Sequence, residues 1–220
     1  MQRPMASIES GIPTEAACIQ HLSQRFELIP QYHGSTVHHV QSDERDQAGF
    51  NSKHSGVIGF HNDAYDYPEV PTHLALYCIE AESTGCQTFY ASYETALACL
   101  SYDECQLLLG RKFEFHTDPA RYYQTPGVGV HARILENGVL RFSAGYLRSK
   151  LADSTLLAII DRFEQALHGA RQDALLAPGD LLIMDNQSLL HGRTAFAGRR
   201  KLARFWMKPR EPSNDSGGLK

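Results

Sequence analysis

The stretch PGDLLIMDNQSLLHGRTAF, residues 178–196, decides the fold. A Pro-Gly-Asp turn opens it, an apolar run follows over 181–184, and a His-Gly-Arg sequence lies at 191–193. A short apolar run bounded by turn residues is typical of a buried β-strand. We therefore predict a core strand here, with polar residues and His191 beyond its end.

Short apolar runs of the same kind recur along the chain and are separated by turn residues such as Asn137-Gly138. We predict strands at 57–60, 74–79, 87–91, 112–115, 139–142 and 181–184. We predict helices at 14–27, at 92–100, at 101–110 behind a Ser101–Glu104 capping box, and from Asp153 to Gly169. Many short strands with a few helices predict a mainly β fold, a sandwich or barrel with flanking helices.

Three segments lack this periodicity. Residues 31–53 are polar and rich in histidine, and the first dozen residues are similarly irregular, so we expect loops in both places. Residues 211–220 are polar and rich in glycine, which predicts a disordered tail. The remainder, residues 1–210, is interpreted as a single domain.

The composition limits the class of protein. The chain has 220 residues, of which 42% are hydrophobic and 21% charged, and its formal net charge is -4. These values suit a soluble globular protein, and the lack of a Lys/Arg run argues against a nucleic-acid partner. No apolar run reaches the roughly 20 residues of a membrane helix, and the N-terminus lacks an apolar signal core. We expect a cytoplasmic protein with no membrane partner; its oligomeric state is not readable from the sequence.

His61-Asn62-Asp63 is the second informative stretch. Residues i and i+2 of a strand point to one side, so this imidazole and this carboxylate can meet at one metal ion. Taken alone, the pair is better explained as a surface histidine beside an acid. With His191 it completes a set of two histidines and one carboxylate. That facial set leaves coordination positions open and is typical of non-haem Fe(II) oxygenases.

Several arginines follow His191. Arg204 lies in the apolar, strand-like run LARFWM at 202–207, whereas Arg199 and Arg200 stand beside Gly198 and are interpreted as a solvated turn. An arginine offers two parallel N–H donors to a carboxylate. We therefore predict that Arg204 faces the site and binds the far carboxylate of a 2-oxo acid.

Together these pieces resemble the TauD/TfdA and clavaminate-synthase-like branch of the Fe(II)/2-oxoglutarate dioxygenases. The resemblance rests on GFHNDAYDYPEVPTHLALYCIEAESTGCQTFYAS at 59–92 and on the stretch at 178–196. They contain, in the family's order, His-x-Asp, a proline before a strand, Gly-x-x-Thr, and Gly-Asp followed by Asp-Asn and His-Gly-Arg. The resemblance covers about residues 55–210 and implies a double-stranded β-helix, a cupin-like jelly roll.

The resemblance also implies roles for individual residues. Fe(II) would be bound by His61, Asp63 and His191. The 2-oxoglutarate co-substrate would be bound by Thr88 and Arg204, and O2 would be the oxidant. Arg193 would hold the loop that presents His191.

The implied reaction is oxidation of an aliphatic C–H bond, with hydroxylation ahead of desaturation or cyclisation. Halogenation is disfavoured because Asp63 fills the metal position that halogenases leave to halide. Small relatives of this kind often oxidise free amino acids. Lys208 would then bind the substrate carboxylate, and Glu44, in the acidic group at 43–46, its amine. The other interpretation of that acidic group is a solvated charge cluster.

Three alternatives stay open. The substrate could be a sulfonate or another small organic acid. The chain could be a cupin-like metal enzyme that does not use 2-oxoglutarate, against which Thr88 and Arg204 argue. It could also be a binding module without chemistry, against which the complete metal-ligand set argues.

Overall fold

The computed structural model describes residues 5–31, 34–41, 55–85, 87–116 and 129–210. The elements within these residues are β1 (Ala6–Glu9), α1 (Glu15–Ser23), β2 (Phe26–Ile29), β3 (His38–Gln41), β4 (Ile58–His61), β5 (His73–Gly85), β6 (Thr88–Ser92), α2 (Tyr93–Leu97), α3 (Tyr102–Gly110), β7 (Lys112–His116), β8 (Gly129–Arg133), β9 (Leu135–Glu136), β10 (Val139–Leu140), α4 (Ala144–Lys150), α5 (Ser154–Ala170), β11 (Gln172–Ala174), β12 (Leu181–Asp185), β13 (Leu189–Arg193) and β14 (Phe196–Pro209).

Two antiparallel sheets form the centre of the fold. The larger has the strand order β1-β12-β5-β14-β2, and β3 also pairs with β14. The smaller has the order β11-β6-β13-β4, and the strand pairs β9–β10 and β7–β8 lie outside both. This arrangement confirms the predicted mainly β fold, the double-stranded β-helix or jelly roll, with helices on its outer faces.

Strand β14 shows how the sequence builds the layers. Side chains alternate between the two faces of a strand. Leu202 and Trp206 therefore pack in the core between the sheets, which also contains Leu189 of the smaller sheet. Phe205 packs on the opposite face, in a second core that α1 covers through Leu22. A third core lies where α2 to α5 cover the smaller sheet.

The predicted helices are confirmed in position, although some are shorter than expected. Ser101 and Glu104 form the capping box in front of α3, and Asp153 caps α5 through the N–H groups of Thr155 and Leu156. Helix α1 ends at Ser23, before the predicted end at residue 27, because the chain turns into strand β2. No helix in the described ranges is long and apolar enough to cross a membrane.

Three strands lie where loops or turns were predicted. β1 falls in the first dozen residues, β3 in the segment 31–53, and the stretch with Arg199 and Arg200 belongs to β14. In β3 only Val40 is buried, so the sequence has too weak an apolar pattern to predict a strand. The strand forms because its backbone pairs with β14. The prediction of a tail at 211–220 lies outside the described residues.

Candidate metal centre

Two of the predicted metal ligands lie on neighbouring strands of the smaller sheet. β4 and β13 pair antiparallel with His61 opposite His191, and the centroids of the two rings are 4.3 Å apart. Nδ1 of His61 donates to the carbonyl of Gly59 at 3.0 Å. A proton on Nδ1 leaves the lone pair on Nε2, the atom that faces the third predicted ligand.

Asp63 follows β4 in a loop, and Asn186 fixes its backbone. The Asp63 N–H donates to Oδ1 of Asn186 at 2.9 Å, and Nδ2 of Asn186 donates to the Asp63 carbonyl at 3.1 Å and to that of Pro71 at 3.0 Å. Asn186 is buried. Its side chain therefore holds the loop in place.

Arg141 holds the rest of this loop. Its guanidinium donates to the carbonyls of Tyr65 and Pro68, both at 2.9 Å, and to that of Tyr67. Gln187 donates to the Pro71 carbonyl at 3.2 Å. Polar side chains thus accept or donate the hydrogen bonds of the loop's backbone, as buried carbonyl groups require.

The three side chains converge. Oδ1 of Asp63 lies 3.7 Å from Nε2 of His61 and 3.7 Å from Nε2 of His191. All three ligand atoms lie within 4.8 Å of one another, and no other set of this kind occurs in the part of the chain that the structure describes. Donor atoms that bind one ion at about 2.1 Å lie about 3 Å apart at right angles, so small side-chain shifts would close this set around an ion.

Burial sets the charge of these groups. It lowers the pKa of His191 to about 3 and also lowers the pKa of His61, so both imidazoles are neutral near pH 7. Burial acts to raise the pKa of Asp63, but the groups around the carboxylate, of which Arg204 has the largest effect, together more than offset this, and the pKa lies below its usual value. Neutral imidazoles and a carboxylate are the forms that bind a divalent metal ion.

Arg200 occupies the position beside Thr88 that was predicted for Arg204. Nη2 of Arg200 donates to Oγ1 of Thr88 at 3.0 Å, and both side chains are buried. The prediction of a solvated turn was therefore wrong for Arg200, although Arg199 is 79% exposed. The tandem arginines lie within β14, where alternation sends one to solvent and the other into the fold.

Arg204 faces the same cleft nearer to the metal ligands. Its Nη1 lies 3.1 Å from Oδ2 of Asp63, and its Nε donates to Oε1 of Gln31 at 3.1 Å. Gln31 also donates to the Arg204 carbonyl at 2.8 Å. The apolar wall of the cleft consists of Val40, Ile58, Leu76 and Leu202. Three arginines (Arg193, Arg200 and Arg204), the three predicted metal ligands and an apolar wall therefore share one cleft.

The His-Gly-Arg sequence has a packing reason. A Cβ atom on Gly192 would lie 2.4 Å from the ring of Phe89 and 2.5 Å from the Ile58 carbonyl oxygen, so only glycine fits there. Arg193 donates to the Gly56 carbonyl at 2.8 Å, and its guanidinium lies 4.7 Å from the centroid of the Phe196 ring. Arg193 thus ties β13 to the segment that leads into β4.

Of the two residues predicted to bind substrate, the structure describes Lys208, which does not line the cleft. The Lys208 side chain is 51% exposed and forms an ion pair of 3.1 Å with Glu27, outside the set that lines the cleft. Its position argues against the predicted role, because β14 has passed beyond the cleft by residue 208. Glu44 lies outside the described residues.

Sequence reasoning missed Arg200, Trp206 and Gln31. Two of them could have been found, because Arg200, Leu202, Arg204 and Trp206 recur at intervals of two, which is the period of a strand that extends the predicted strand-like run at 202–207 back to Arg200. Gln31 carries no such signal, since its contact with Arg204 joins residues that are far apart in the sequence.

Solved structures of similar fold cover most of the chain. Asparagine oxygenase in complex with Fe(II), 2S,3S-3-hydroxyasparagine and succinate has a TM-score of 0.75 at 18% identity, over 92% of this chain and 73% of that one. OrfP, a non-haem iron oxygenase in complex with Fe, succinate and (3S)-hydroxy-L-Arg, has a TM-score of 0.68 at 16% identity, over 93% and 76%. PvcB from Pseudomonas aeruginosa has a TM-score of 0.66 at 20% identity, over 92% and 75%.

A comparison with curated proteins finds no match. The family model described as taurine catabolism dioxygenase TauD, TfdA family matches residues 10–206. This match confirms the predicted enzyme class, an oxygenase that depends on Fe(II) and 2-oxoglutarate, and favours it over a binding module or a metal enzyme without the 2-oxo acid. The chain belongs to the TauD/TfdA family of dioxygenases.

Proposed function

We propose that His61, Asp63 and His191 bind the Fe(II) of this oxygenase, and that the enzyme hydroxylates an aliphatic C–H bond of a free amino acid or a close derivative. Bound Fe(II) and 2-oxoglutarate supply the oxidation: O2 delivers one oxygen atom to succinate, formed with loss of CO2, and the other to the substrate. The observation that carries the proposal is the convergence of the three ligand atoms within 4.8 Å in a cleft lined by three buried arginines.

The co-substrate is assigned to the end of the cleft formed by Arg200 and Thr88. The guanidinium and the hydroxyl are 3.0 Å apart and buried, so they can bind one carboxylate together. An arginine presents parallel N–H donors that match a carboxylate, and the Thr88 hydroxyl beside it can add a further donor. This assignment replaces the predicted partnership of Thr88 with Arg204.

Arg204 is assigned to an anion bound close to the metal, the carboxylate of the substrate. Its Nη1 lies 3.1 Å from Oδ2 of Asp63, whereas Arg200 lies against Thr88. The two cations have different partners in the cleft, so each is assigned its own carboxylate. An amino acid is favoured because asparagine oxygenase and OrfP are named with hydroxylated amino acids.

Other cleft residues exclude water from the site and keep Asp63 ionised. Leu76 and Leu202 form part of an apolar wall, and expulsion of water strengthens electrostatic interactions inside a site. Arg204 stabilises the ionised form of Asp63. The amine of an amino acid would require an acceptor, and Asp63 is the one carboxylate among the cleft-lining residues that the structure describes. Glu44 therefore stays a proposed partner for the amine.

A sulfonate or another small organic acid is the alternative substrate, because Arg204 would also bind that anion. The experiment is a panel of free amino acids, sulfonates and organic acids, incubated with the Fe(II)-loaded protein, 2-oxoglutarate and O2. We expect an amino acid to stimulate succinate release and to gain one oxygen atom by mass spectrometry. Stimulation by a sulfonate or an acid without an amino group, and by no amino acid, would contradict the proposal.

A further inference from the structure

The two carboxylate oxygens of Asp63 have different neighbours. Oδ1 lies 3.7 Å from Nε2 of each histidine of the proposed metal site. Oδ2 accepts a hydrogen bond of 2.7 Å from Nε1 of Trp206 and lies 3.1 Å from Nη1 of Arg204. One oxygen thus faces the imidazoles, and the other is engaged by two donors on β14.

We infer that Trp206 is a positioning residue whose indole N–H keeps Asp63 bound to the metal through a single oxygen. The inference rests on the proposed Fe(II) site. An indole N–H only donates, so it specifies Oδ2 as its acceptor. Rotation of the carboxylate to present both oxygens to the metal would leave this buried donor unpaired, which is costly. The single-oxygen orientation also leaves positions on the metal open for the 2-oxo acid and O2.

Trp206 is rigidly placed for this task. β14 lies between two strands at this point, and Trp206 is in register with Ile29 of β2 and Leu74 of β5. The side chain is 2% exposed, and the centroid of its ring lies 5.5 Å from that of Tyr67 in an edge-on contact. A buried ring packed in this way cannot change rotamer without displacing its neighbours, so the N–H direction is fixed.

Arg204 also contacts Oδ2 of Asp63, but unlike Trp206 it has further donors that can bind other groups. It also donates to Gln31, and as a cation it attracts the carboxylate that the proposed function assigns to it. The Trp206 indole has one N–H donor, and Oδ2 of Asp63 already accepts it. The indole therefore holds Oδ2 independently of any anion that Arg204 binds.

The test uses the fact that the 220-residue sequence contains one tryptophan. Global replacement of tryptophan in an auxotrophic host therefore changes residue 206 alone. Benzothienylalanine has the same two-ring shape with sulfur in place of the N–H. 4-Fluorotryptophan keeps the N–H and is the matched control. The substitution Trp206→Phe provides a second way to remove the donor.

Two properties are measured in each protein: the affinity for Fe(II) without oxygen, by competition with a chelator, and the visible absorption spectrum of the Co(II) form. We expect the benzothienylalanine protein and Trp206→Phe to bind Fe(II) about 10-fold more weakly, the lower end of effects seen for groups that orient metal ligands. The Co(II) spectrum should change as well. The fluorinated protein should match the unmodified one in both.

The outcomes separate this inference from the proposed function. Equal Fe(II) affinity and identical Co(II) spectra in all the proteins would overturn the role of Trp206 and leave the metal site standing. Absence of Fe(II) binding in the unmodified and fluorinated proteins would overturn both. A weakened Fe(II) complex only in the proteins without the indole N–H would support the inference.

Discussion

The predicted metal ligands are held in two different ways. His61 and His191 lie opposite each other on paired strands, so backbone hydrogen bonds of the smaller sheet determine where they are. Asp63 lies in a loop, and side chains determine its place: Asn186 binds its backbone, and Trp206 and Arg204 bind its carboxylate. The histidines are thus placed by register, whereas the carboxylate depends on a few buried polar contacts.

This difference predicts that the two halves of the site tolerate substitutions unequally. A change near the histidines leaves the sheet pairing that positions them, whereas a change among the contacts of Asp63 removes part of what positions it. Buried hydrogen-bond networks lose more than one contact when one member is removed. The loop side should therefore be the sensitive half of the site.

The largest effects are expected for the ligands themselves. Asp63→Ala and His191→Ala should both abolish Fe(II)-dependent succinate release. They should differ in stability without metal, because loss of Asp63 leaves Arg204 buried without its carboxylate. We expect Asp63→Ala to lower the free energy of unfolding by about 3 kcal/mol and His191→Ala by about 1 kcal/mol. Urea unfolding of the metal-free proteins measures both, and equal losses would contradict the distinction.

Arg200→Ala tests the proposed co-substrate role of a residue that lies in strand β14 and is not a proposed metal ligand. We expect the KM for 2-oxoglutarate to rise about 100-fold, because a buried charged partner of a carboxylate is lost. Fe(II) affinity should stay unchanged. Arg199→Ala, the exposed neighbour on the same strand, is the control and should leave the KM unaltered. An unchanged KM in Arg200→Ala would return the co-substrate role to Arg204.

Asn186→Ala tests the loop directly. It unpairs the N–H and the carbonyl of Asp63, and we expect a loss of about 2 kcal/mol in unfolding free energy and Fe(II) binding weaker by about 10-fold. Gln187→Ala is the matched control, because Gln187 donates to Pro71 of the same loop and not to Asp63. If both variants weaken Fe(II) binding alike, loop rigidity in general, and not the contact with Asp63, is responsible.

The smallest effect is expected for Lys208→Ala. Lys208 forms an exposed ion pair with Glu27, and such pairs contribute about 0.5 kcal/mol or less. Substrate KM and stability should stay close to those of the unmodified protein, whereas Arg204→Gln should raise the KM. A large rise in KM for Lys208→Ala would instead restore the role that the sequence predicted for it.

The strand-held half of the site was the more predictable from the sequence. Strand β12 and helix α5 are local patterns, an apolar run between turns and an amphipathic stripe behind a cap, and both were confirmed. The candidate ligands His61 and His191 stand within or at the end of such patterns. The order of the motifs along the chain was enough to predict the family.

The parts that were missed depend on pairing between distant segments. Strand β3 has one buried residue and forms because its backbone pairs with that of β14. Arg200 resembled a turn residue, since the long strand that buries it includes Gly198 with a positive φ of 98°. Contacts such as Trp206 with Asp63 join residues 143 positions apart, which no local pattern encodes.

The most direct test of the proposed site is an anaerobic titration of Fe(II) into the protein with 2-oxoglutarate, followed by visible absorption. A metal with open positions on a facial set of two histidines and one carboxylate forms a coloured chelate with a 2-oxo acid. We predict a weak visible band at one Fe(II) per chain, absent in His191→Ala and requiring more 2-oxoglutarate in Arg200→Ala. A fully metal-loaded protein without the band, or an undiminished band in His191→Ala, would contradict the assignment.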